Sequence, residues 1–128
     1  MMSAAKKILI VEDEQDVLAY FEAIFQDNGY DTVLARNGIE GFELAKSEKP
    51  DLIALDITMP GQSGMKTYRQ YKRHPALKDI PVIIITAVND SFKSLLDELN
   101  GFSTPEAFFN KPIDPEELLK VVAGILSE

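Results

Sequence analysis

The chain has 128 residues and a mass of 14.3 kDa, which is the size of one domain. It contains no cysteine, which excludes thiol catalysis, cysteine-ligated zinc and a disulfide scaffold. Its net charge of −8 argues against nucleic acids and anionic lipids as partners, because such a surface repels phosphate groups. No apolar run approaches the roughly 20 residues of a membrane span, so we expect a soluble cytoplasmic protein.

The first half of the chain alternates short apolar runs with amphipathic segments. Residues 8–11 form a β-branched run that predicts a strand, and apolar residues at helical spacing over 17–25 predict a helix that ends before Gly29. A weaker strand candidate at residues 32–35 precedes a helix predicted over 38–46, where apolar residues recur every three positions. These elements follow the order β-α-β-α.

The second half continues the same alternation. The predicted strands and helices, in chain order, cover residues 52–55, 63–73, 82–85, 91–99 and 107–109. A last helix is predicted after Asp114, which is a good N-cap and is followed by Pro115 at the first helical position. The complete pattern is therefore β-α repeated five times.

Strands that alternate with helices predict a parallel β-sheet with right-handed crossovers and helices on both faces. The strongest strands are continuously apolar, which is typical of strands that are buried on both faces. Five strands are too few for a closed eight-stranded barrel, so we predict the α/β class with an open, doubly wound sheet. Ligands bind such sheets beyond the carboxyl ends of the strands.

Polar residues follow the predicted strands at these ends: Glu12 and Asp13, Asp56, Thr86 and Lys111. If the first and third strands are neighbours, the three carboxylates share one pocket, and their repulsion favours a hard divalent cation such as Mg²⁺. The threonine hydroxyl and the lysine ammonium are donors that suit an anion. A cation on one side, these donors on the other and a carboxylate between them form a layout for phosphoryl transfer.

Four stretches resemble the receiver domain of two-component response regulators of the chemotaxis-regulator kind. They are residues 8–14 (ILIVEDE), 56–61 (DITMPG), 86–87 (TA) and 108–112 (FFNKP). These stretches occur in the family's order, and the resemblance extends over nearly the whole chain. It implies one receiver domain over residues 1–128 with a core of about 6–126, and the strand order 2-1-3-4-5.

The resemblance also implies a role for each residue of the acidic pocket. Asp56 would be the phosphoacceptor, which becomes an aspartyl phosphate. Glu12 and Asp13 would bind Mg²⁺, and Asp56 and the backbone carbonyl of Thr58 would complete the protein ligands. On this reading the protein is a regulatory phosphoacceptor rather than an enzyme with a separate substrate.

The remaining roles implied by the resemblance fall on the fourth and fifth strands. Lys111 would pair with a phosphoryl oxygen, and its bond to Pro112 is a candidate for the cis isomer. Thr86 would be the switch hydroxyl that moves toward the phosphoryl group. Phe108 would be the coupled switch aromatic, although a plain core position explains this residue equally well.

The partners implied are a sensor histidine kinase or histidine phosphotransfer protein, and a downstream protein or fused output domain. The alternative function is a small Mg²⁺-dependent phosphatase or phosphotransferase with an aspartate nucleophile. Such haloacid-dehalogenase-like enzymes need a second carboxylate two residues after the first, and Thr58 occupies that place here. A flavodoxin-like carrier would need a phosphate-binding loop after a strand, which the sequence does not offer. A receiver that is never phosphorylated would not need the full set of acids, threonine and lysine.

Overall fold

The structure is a computed structural model that describes residues 5–57, 64–87 and 104–127. The strands are β1 (Lys7–Val11), β2 (Asp31–Ala35), β3 (Leu52–Asp56), β4 (Val82–Thr86) and β5 (Ala107–Asn110). The helices of the described ranges are α1 (Gln15–Asp27), α2 (Gly38–Glu48), α3 (Gly64–Arg73) and α4 (Pro115–Leu126). The helix predicted over residues 91–99 lies outside the described residues.

All five strands form one parallel sheet in the order β2-β1-β3-β4-β5. The predicted α/β class, the open doubly wound sheet and the strand order 2-1-3-4-5 are therefore confirmed. The chain places β2 on one side of β1 and then β3, β4 and β5 on the other side. The direction in which strands are added is therefore reversed between β1 and β3, which are neighbours in the sheet. This is the switch point at which the carboxyl ends of neighbouring strands leave a crevice for ligands.

The sheet is covered on both faces, because strand side chains alternate between two apolar cores. One core, under α2 and α3, contains the buried residues Leu9, Val11, Ile53, Leu55, Ile84, Tyr68 and Tyr71. The other core, under α1 and α4, contains Ile8, Ile10, Leu52, Ala54, Ile83, Phe21, Phe25 and Leu118. Each fully buried large side chain contributes about 1.5–3 kcal/mol, so this double burial stabilises the sheet that carries the site.

Local sequence signals set several helix ends. Asn37 precedes α2 and accepts a 2.8 Å hydrogen bond from the backbone N–H of Glu40. Asp114 caps α4 by accepting a 3.1 Å bond from the N–H of Glu116. Gly29, beyond α1, has a φ of +89°, a conformation that residues with a side chain rarely adopt. The predicted N-cap at Asp114 and the predicted stop at Gly29 are confirmed.

Two strands extend one residue beyond their apolar runs. Asp56 is the last residue of β3 and Thr86 is the last residue of β4, although both side chains are polar. The backbone forms the ladder regardless of side-chain polarity, and Asp56 pairs in register with Ile85. Among the described residues, no helix combines the length and the apolar character that crossing a bilayer requires.

Candidate functional site

Three carboxylates meet at the carboxyl edge of the sheet. Glu12 directly follows β1, and its N–H continues the ladder by donating to the carbonyl of Ala35 at 3.0 Å. Asp56 ends the neighbouring strand β3, so the switch point brings the two side chains to the same crevice. One carboxylate oxygen each from Glu12, Asp13 and Asp56 lies within 4.8 Å of the others. The predicted acidic pocket is therefore present.

The three carboxylates differ in exposure. Glu12 and Asp56 are only 1% and 2% exposed, whereas Asp13 is exposed to solvent. Two buried negative charges this close are unstable unless positive charge compensates for them. Glu12 and Asp56 thus form the buried floor of the pocket, and the exposed Asp13 at its rim can contact a hydrated ion.

Lys111 supplies the positive charge that the described residues bring to this pocket. Its ammonium donates to Asp56 Oδ2 at 2.8 Å and to Glu12 Oε1 at 2.9 Å. Burial lowers the pKa of this lysine, but the hydrogen bonds to Asp56 and Glu12 outweigh burial, and the net direction is upward. Lys111 is therefore a fixed cation that bridges the carboxylates of two neighbouring strands.

The backbone of the fifth strand places this ammonium. The N–H of Lys111 donates to the carbonyl of Thr86 at 2.9 Å, which extends the β4–β5 ladder by one bond beyond Asn110. The peptide bond between Lys111 and Pro112 is cis, as the sequence suggested. The lysine side chain reaches back across the sheet edge to strands β1 and β3.

Glu12 is the most perturbed carboxyl of the site. Its pKa is raised from 4.5 to about 7, mainly by desolvation on burial and next by the hydrogen bond with the Asp56 carboxyl group. The Lys111 ammonium and the 3.1 Å bond from the N–H of Glu14 act in the opposite direction but do not cancel burial. Glu12 therefore binds its proton more tightly than an isolated glutamate does.

This pKa predicts how stability depends on pH without metal. The unfolded chain loses the Glu12 proton near pH 4.5 and the folded chain near pH 7, so the folded state holds more protons between these values. The free energy of unfolding should therefore fall by up to about 3 kcal/mol as the pH rises through this window. Urea unfolding in a chelator should show this fall for the native chain and a much smaller one for Glu12→Gln.

The matched control is Glu14→Gln, which removes an exposed carboxylate two residues away. It should keep the native pH dependence, since its side chain lies at the surface. Equal slopes for Glu12→Gln and the native chain would contradict the assignment of this titration to Glu12.

Thr86 lies beside the carboxylates on the neighbouring strand. It follows Ile85, the register partner of Asp56, and is 1% exposed. Phe108, on β5, is half-buried and packs against the core under α2 and α3, in register with Ile84. The next residue, Phe109, is buried on the opposite face of the sheet. The structure therefore places Thr86 at the same edge of the sheet as the carboxylates, and it places Phe108 two residues before the register partner of Thr86.

The chemistry of the donor set fits a hard divalent cation. All three clustered side chains offer carboxylate oxygens, which are the ligands that Mg²⁺ prefers, and the exposed Asp13 leaves room for the waters that Mg²⁺ retains. The predicted fourth ligand, the carbonyl of Thr58, lies outside the described residues. An anion that approaches this edge would meet the Lys111 ammonium, which contacts both Asp56 and Glu12.

Sequence reasoning treated Lys111 as a partner for a phosphoryl oxygen and missed its bond to Glu12. The two residues are 99 positions apart, and no local pattern connects them. The signal that could have found the bond is the charge balance, because buried acids at a strand end require a cation. Lys111 was the one cation predicted at that edge.

Comparisons with known proteins agree with this geometry. The family model described as "Response regulator receiver domain" matches residues 8–123. Protein PilH of Pseudomonas aeruginosa is 33% identical over 121 residues, with 94% of this chain and 98% of PilH covered. The polar-differentiation response regulator DivK of Brucella anthropi is 32% identical, with 96% and 98% covered. The structure of the Vibrio cholerae chemotaxis protein CheY4 superposes with a TM-score of 0.84 at 26% identity, covering 96% of this chain and 100% of that one.

Proposed function

Since the chain belongs to the response regulator receiver domains, which are phosphoacceptor modules of two-component signalling, we propose that Asp56 is the residue that accepts the phosphoryl group. Its carboxylate is at the carboxyl end of the central strand β3 and is held at 2.8 Å by the Lys111 ammonium. A carboxylate is a competent nucleophile toward phosphorus when its own charge and that of the phosphoryl oxygens are offset.

The transfer step exchanges one bond to phosphorus for another. An Asp56 carboxylate oxygen forms the new P–O bond while the P–N bond of a donor phosphohistidine breaks. The electron pair of that bond remains on the imidazole nitrogen. With acetyl phosphate as donor, the bond from phosphorus to the acetate oxygen breaks instead and acetate leaves. No oxidant, reductant or further co-reactant is needed.

Glu12, Asp13 and Asp56 are the residues that would hold Mg²⁺, together with the backbone carbonyl of Thr58 implied by the family resemblance. When bound, the ion supplies positive charge beside the oxygens on which negative charge accumulates during transfer. Two neighbouring strands position these side chains: β1 ends directly before Glu12 and Asp13, and β3 ends at Asp56.

The other side of the site is assigned to donors. Lys111 would exchange part of its hydrogen bonding to Asp56 and Glu12 for a bond to a phosphoryl oxygen. Thr86, one residue beyond the register partner of Asp56, is the hydroxyl that would turn toward the phosphoryl group. Phe108 would move with it, because it lies on the strand that is hydrogen-bonded to β4.

One observation carries this proposal: the ammonium of Lys111 bridges two carboxylates from separate strands at the switch point of the sheet. A structural ion pair would need only one acid. Three acids around one cation leave excess negative charge, and an oxygen-liganded divalent cation together with a phosphoryl group would balance it. The alternative phosphatase function gains no support from any of the described residues.

The function is tested by incubating the protein with acetyl phosphate and Mg²⁺ and measuring the intact mass. We expect one added phosphoryl group that is labile at alkaline pH, as an acyl phosphate is, and no addition in excess chelator. Readdition of Mg²⁺ should restore the modification. Addition that is independent of metal, or a phosphoryl group stable to alkali, would contradict an aspartyl phosphate in this pocket.

The switch role of Thr86 gives a separate prediction. Thr86→Ala should still accept the phosphoryl group, because Asp56 and Lys111 are retained, but it should lose the response at Phe108. Amide chemical-shift maps of native and variant protein, with and without phosphorylation, measure this loss. The coupling between phosphorylation and the response at Phe108 should be about 1–3 kcal/mol. Thr32→Ala is the control, since Thr32 lies on the far strand β2 and should leave the response intact. Identical maps for native protein and Thr86→Ala would refute the role.

Receiver domains interact with histidine kinases and with downstream effectors, and they act as regulatory phosphoacceptors. For this chain we assign a sensor histidine kinase or a histidine phosphotransfer protein as donor, and a downstream protein or fused output domain as target. Such a receiver domain would span residues 1–128 with a core of about 6–126. The cytoplasmic location stays a prediction.

A further inference from the structure

A cavity of about 440 Å³ lies between helices α2 and α3, on the face of the sheet opposite α1 and α4. Its volume is in the range of pockets that bind ligands. Apolar atoms form most of the wall, to which polar side chains of α3 also contribute. The residues that matter here are Ile39, Phe42, Gln70, Arg73, His74 and Pro75. Nothing in the phosphoryl-transfer site uses any of them.

Packing beneath the cavity keeps it open. The Tyr71 hydroxyl donates to the carbonyl of Gly38 at 2.8 Å and ties the start of α2 to α3. Helix α2 lies so close that a Cβ at Gly41 would be 2.5 Å from the Tyr71 hydroxyl oxygen. The Phe42 ring, which forms the cavity wall, contacts the rings of Tyr71 and His74 at centroid distances of 5.8 and 5.4 Å. The cavity is therefore formed by well-packed side chains.

The mouth of the cavity is apolar and exposed. Ile39 is 77% exposed, the largest value among the large apolar side chains that the structure describes. It lies on the first turn of α2, three residues before Phe42, so the two side chains share one helix face. A single exposed isoleucine is ordinary, but one that continues into an apolar cavity forms a contiguous binding surface.

On the α3 side of the cavity, the charge opposes that of the whole protein. Residues 57–78 contain five lysines and arginines and no acidic residue, whereas the rest of the chain has eight bases against 21 acids. On α3, Lys66, Arg69 and Arg73 follow the spacing i, i+3, i+7, which places them on one face of the helix. This basic stripe is about 10 Å long and ends at the cavity rim, where Arg73 lines the wall.

We propose that this α2–α3 surface, the cavity with its basic stripe, binds an acidic segment of another protein that inserts one aromatic or large aliphatic side chain. The inserted side chain would contact Ile39 and Phe42, and flanking Asp and Glu side chains of the partner would pair with the stripe. This contact is separate from the phosphoryl site and adds a docking function to the domain.

The charge and the length of the surface favour an acidic protein segment over other ligands. A ligand confined to the cavity would not use the far end of the stripe, which a peptide backbone reaches within a few residues. Nucleic acids and anionic membranes are extended, and beyond the stripe they would meet a protein with a large excess of acids. A short acidic segment places its charge only where the protein is basic.

The test uses a synthetic seven-residue peptide, Glu-Asp-Glu-Trp-Glu-Asp-Glu, with blocked ends. Because the chain has no tryptophan, the peptide's fluorescence reports binding directly, and amide chemical shifts locate it. We expect saturable binding that weakens at high salt, with shifts at residues 38–42 and 66–77. Peptides with alanine in place of tryptophan, or with lysine and arginine in place of the acids, should bind at least tenfold more weakly.

Two substitutions separate the charge from the cavity. Arg73→Glu should weaken binding about tenfold through charge, and Ile39→Gln should weaken it about fivefold by removing the apolar mouth. Both side chains are at the surface, so thermal melts should stay near those of the native protein. Lys120→Glu makes the same charge change on an exposed position of α4 and should alter binding less than twofold.

The proposal is overturned if the peptide does not bind, if its shifts fall elsewhere, or if Lys120→Glu weakens binding as much as Arg73→Glu. Tighter binding of a short DNA duplex or of phosphatidylglycerol vesicles through the same residues would identify a phosphate-bearing partner instead of an acidic protein segment, and would also overturn the proposal. Self-association that shifts residues 38–42 would make a second copy of this chain the occupant and also overturn it.

Discussion

Asp56→Asn abolishes uptake of the phosphoryl group from acetyl phosphate, which we expect as the largest effect of any single substitution in this protein. The amide retains the shape of the side chain and its place at the end of β3, but it lacks the carboxylate charge that makes the oxygen nucleophilic. The modified fraction by intact mass should fall by at least about a thousandfold. Circular dichroism should show that the variant is folded.

The control is Asp51→Asn, just before the opposite end of the same strand. Asp51 accepts a 2.8 Å hydrogen bond from the N–H of Lys7, which an asparagine oxygen can also accept. This variant should be phosphorylated like the native protein. Modification of Asp56→Asn to the native extent would show that another residue is the phosphoacceptor.

Lys111→Met should have the second-largest effect, on both stability and phosphorylation. It leaves the buried carboxylates of Glu12 and Asp56 without their shared cation, and removal of one partner from a buried pair is strongly destabilising. Because 18% of the lysine side chain is exposed, we expect about 2–3 kcal/mol at pH 8 without metal. The rate of phosphorylation should fall about a hundredfold, since a donor to the phosphoryl oxygens is lost.

Urea unfolding measures the loss of stability in Lys111→Met, and two comparisons test its cause. Lys7→Met breaks the pair with Glu48, whose side chains are 33% and 43% exposed, and should cost about 0–1 kcal/mol. At pH 6 the cost of Lys111→Met should shrink, because Glu12, with a pKa near 7, then carries a proton. Equal costs for the two lysine variants at pH 8 would show that the Lys111 bridge does not compensate buried charge.

These predictions depend on residues that the sequence alone identified by their positions after apolar runs. Glu12, Asp56 and Thr86 were expected at the same edge of a parallel sheet, and the structure places them there. This success has a simple cause: burial on both faces requires continuous apolar strands, so the first polar residue marks the strand's end. Strand limits were less accurate, since Asp56 and Thr86 belong to the ladders that they terminate.

Features that join distant parts of the chain were harder to read. The bond between Lys111 and Glu12 and the raised pKa of Glu12 follow from burial and proximity, which residue types alone do not specify. The cavity between α2 and α3 was also missed, although residues 57–78 carry a visible excess of basic residues. The amphipathic pattern predicted the helices without indicating how closely they pack.

The sequence by itself determined the α/β class, the order of the strands and of the described helices along the chain, and the polar residues at the strand ends. Periodicity and capping are local properties, so a linear pattern is enough to read them. Only the tertiary structure decided that one ammonium bridges Glu12 and Asp56 and that α2 and α3 leave a cavity beside a basic stripe. These features arise only when segments that are remote in the sequence pack together. Their distances and desolvation then set the pKa values of charged groups, and the fit of the two helices sets the shape of the surface.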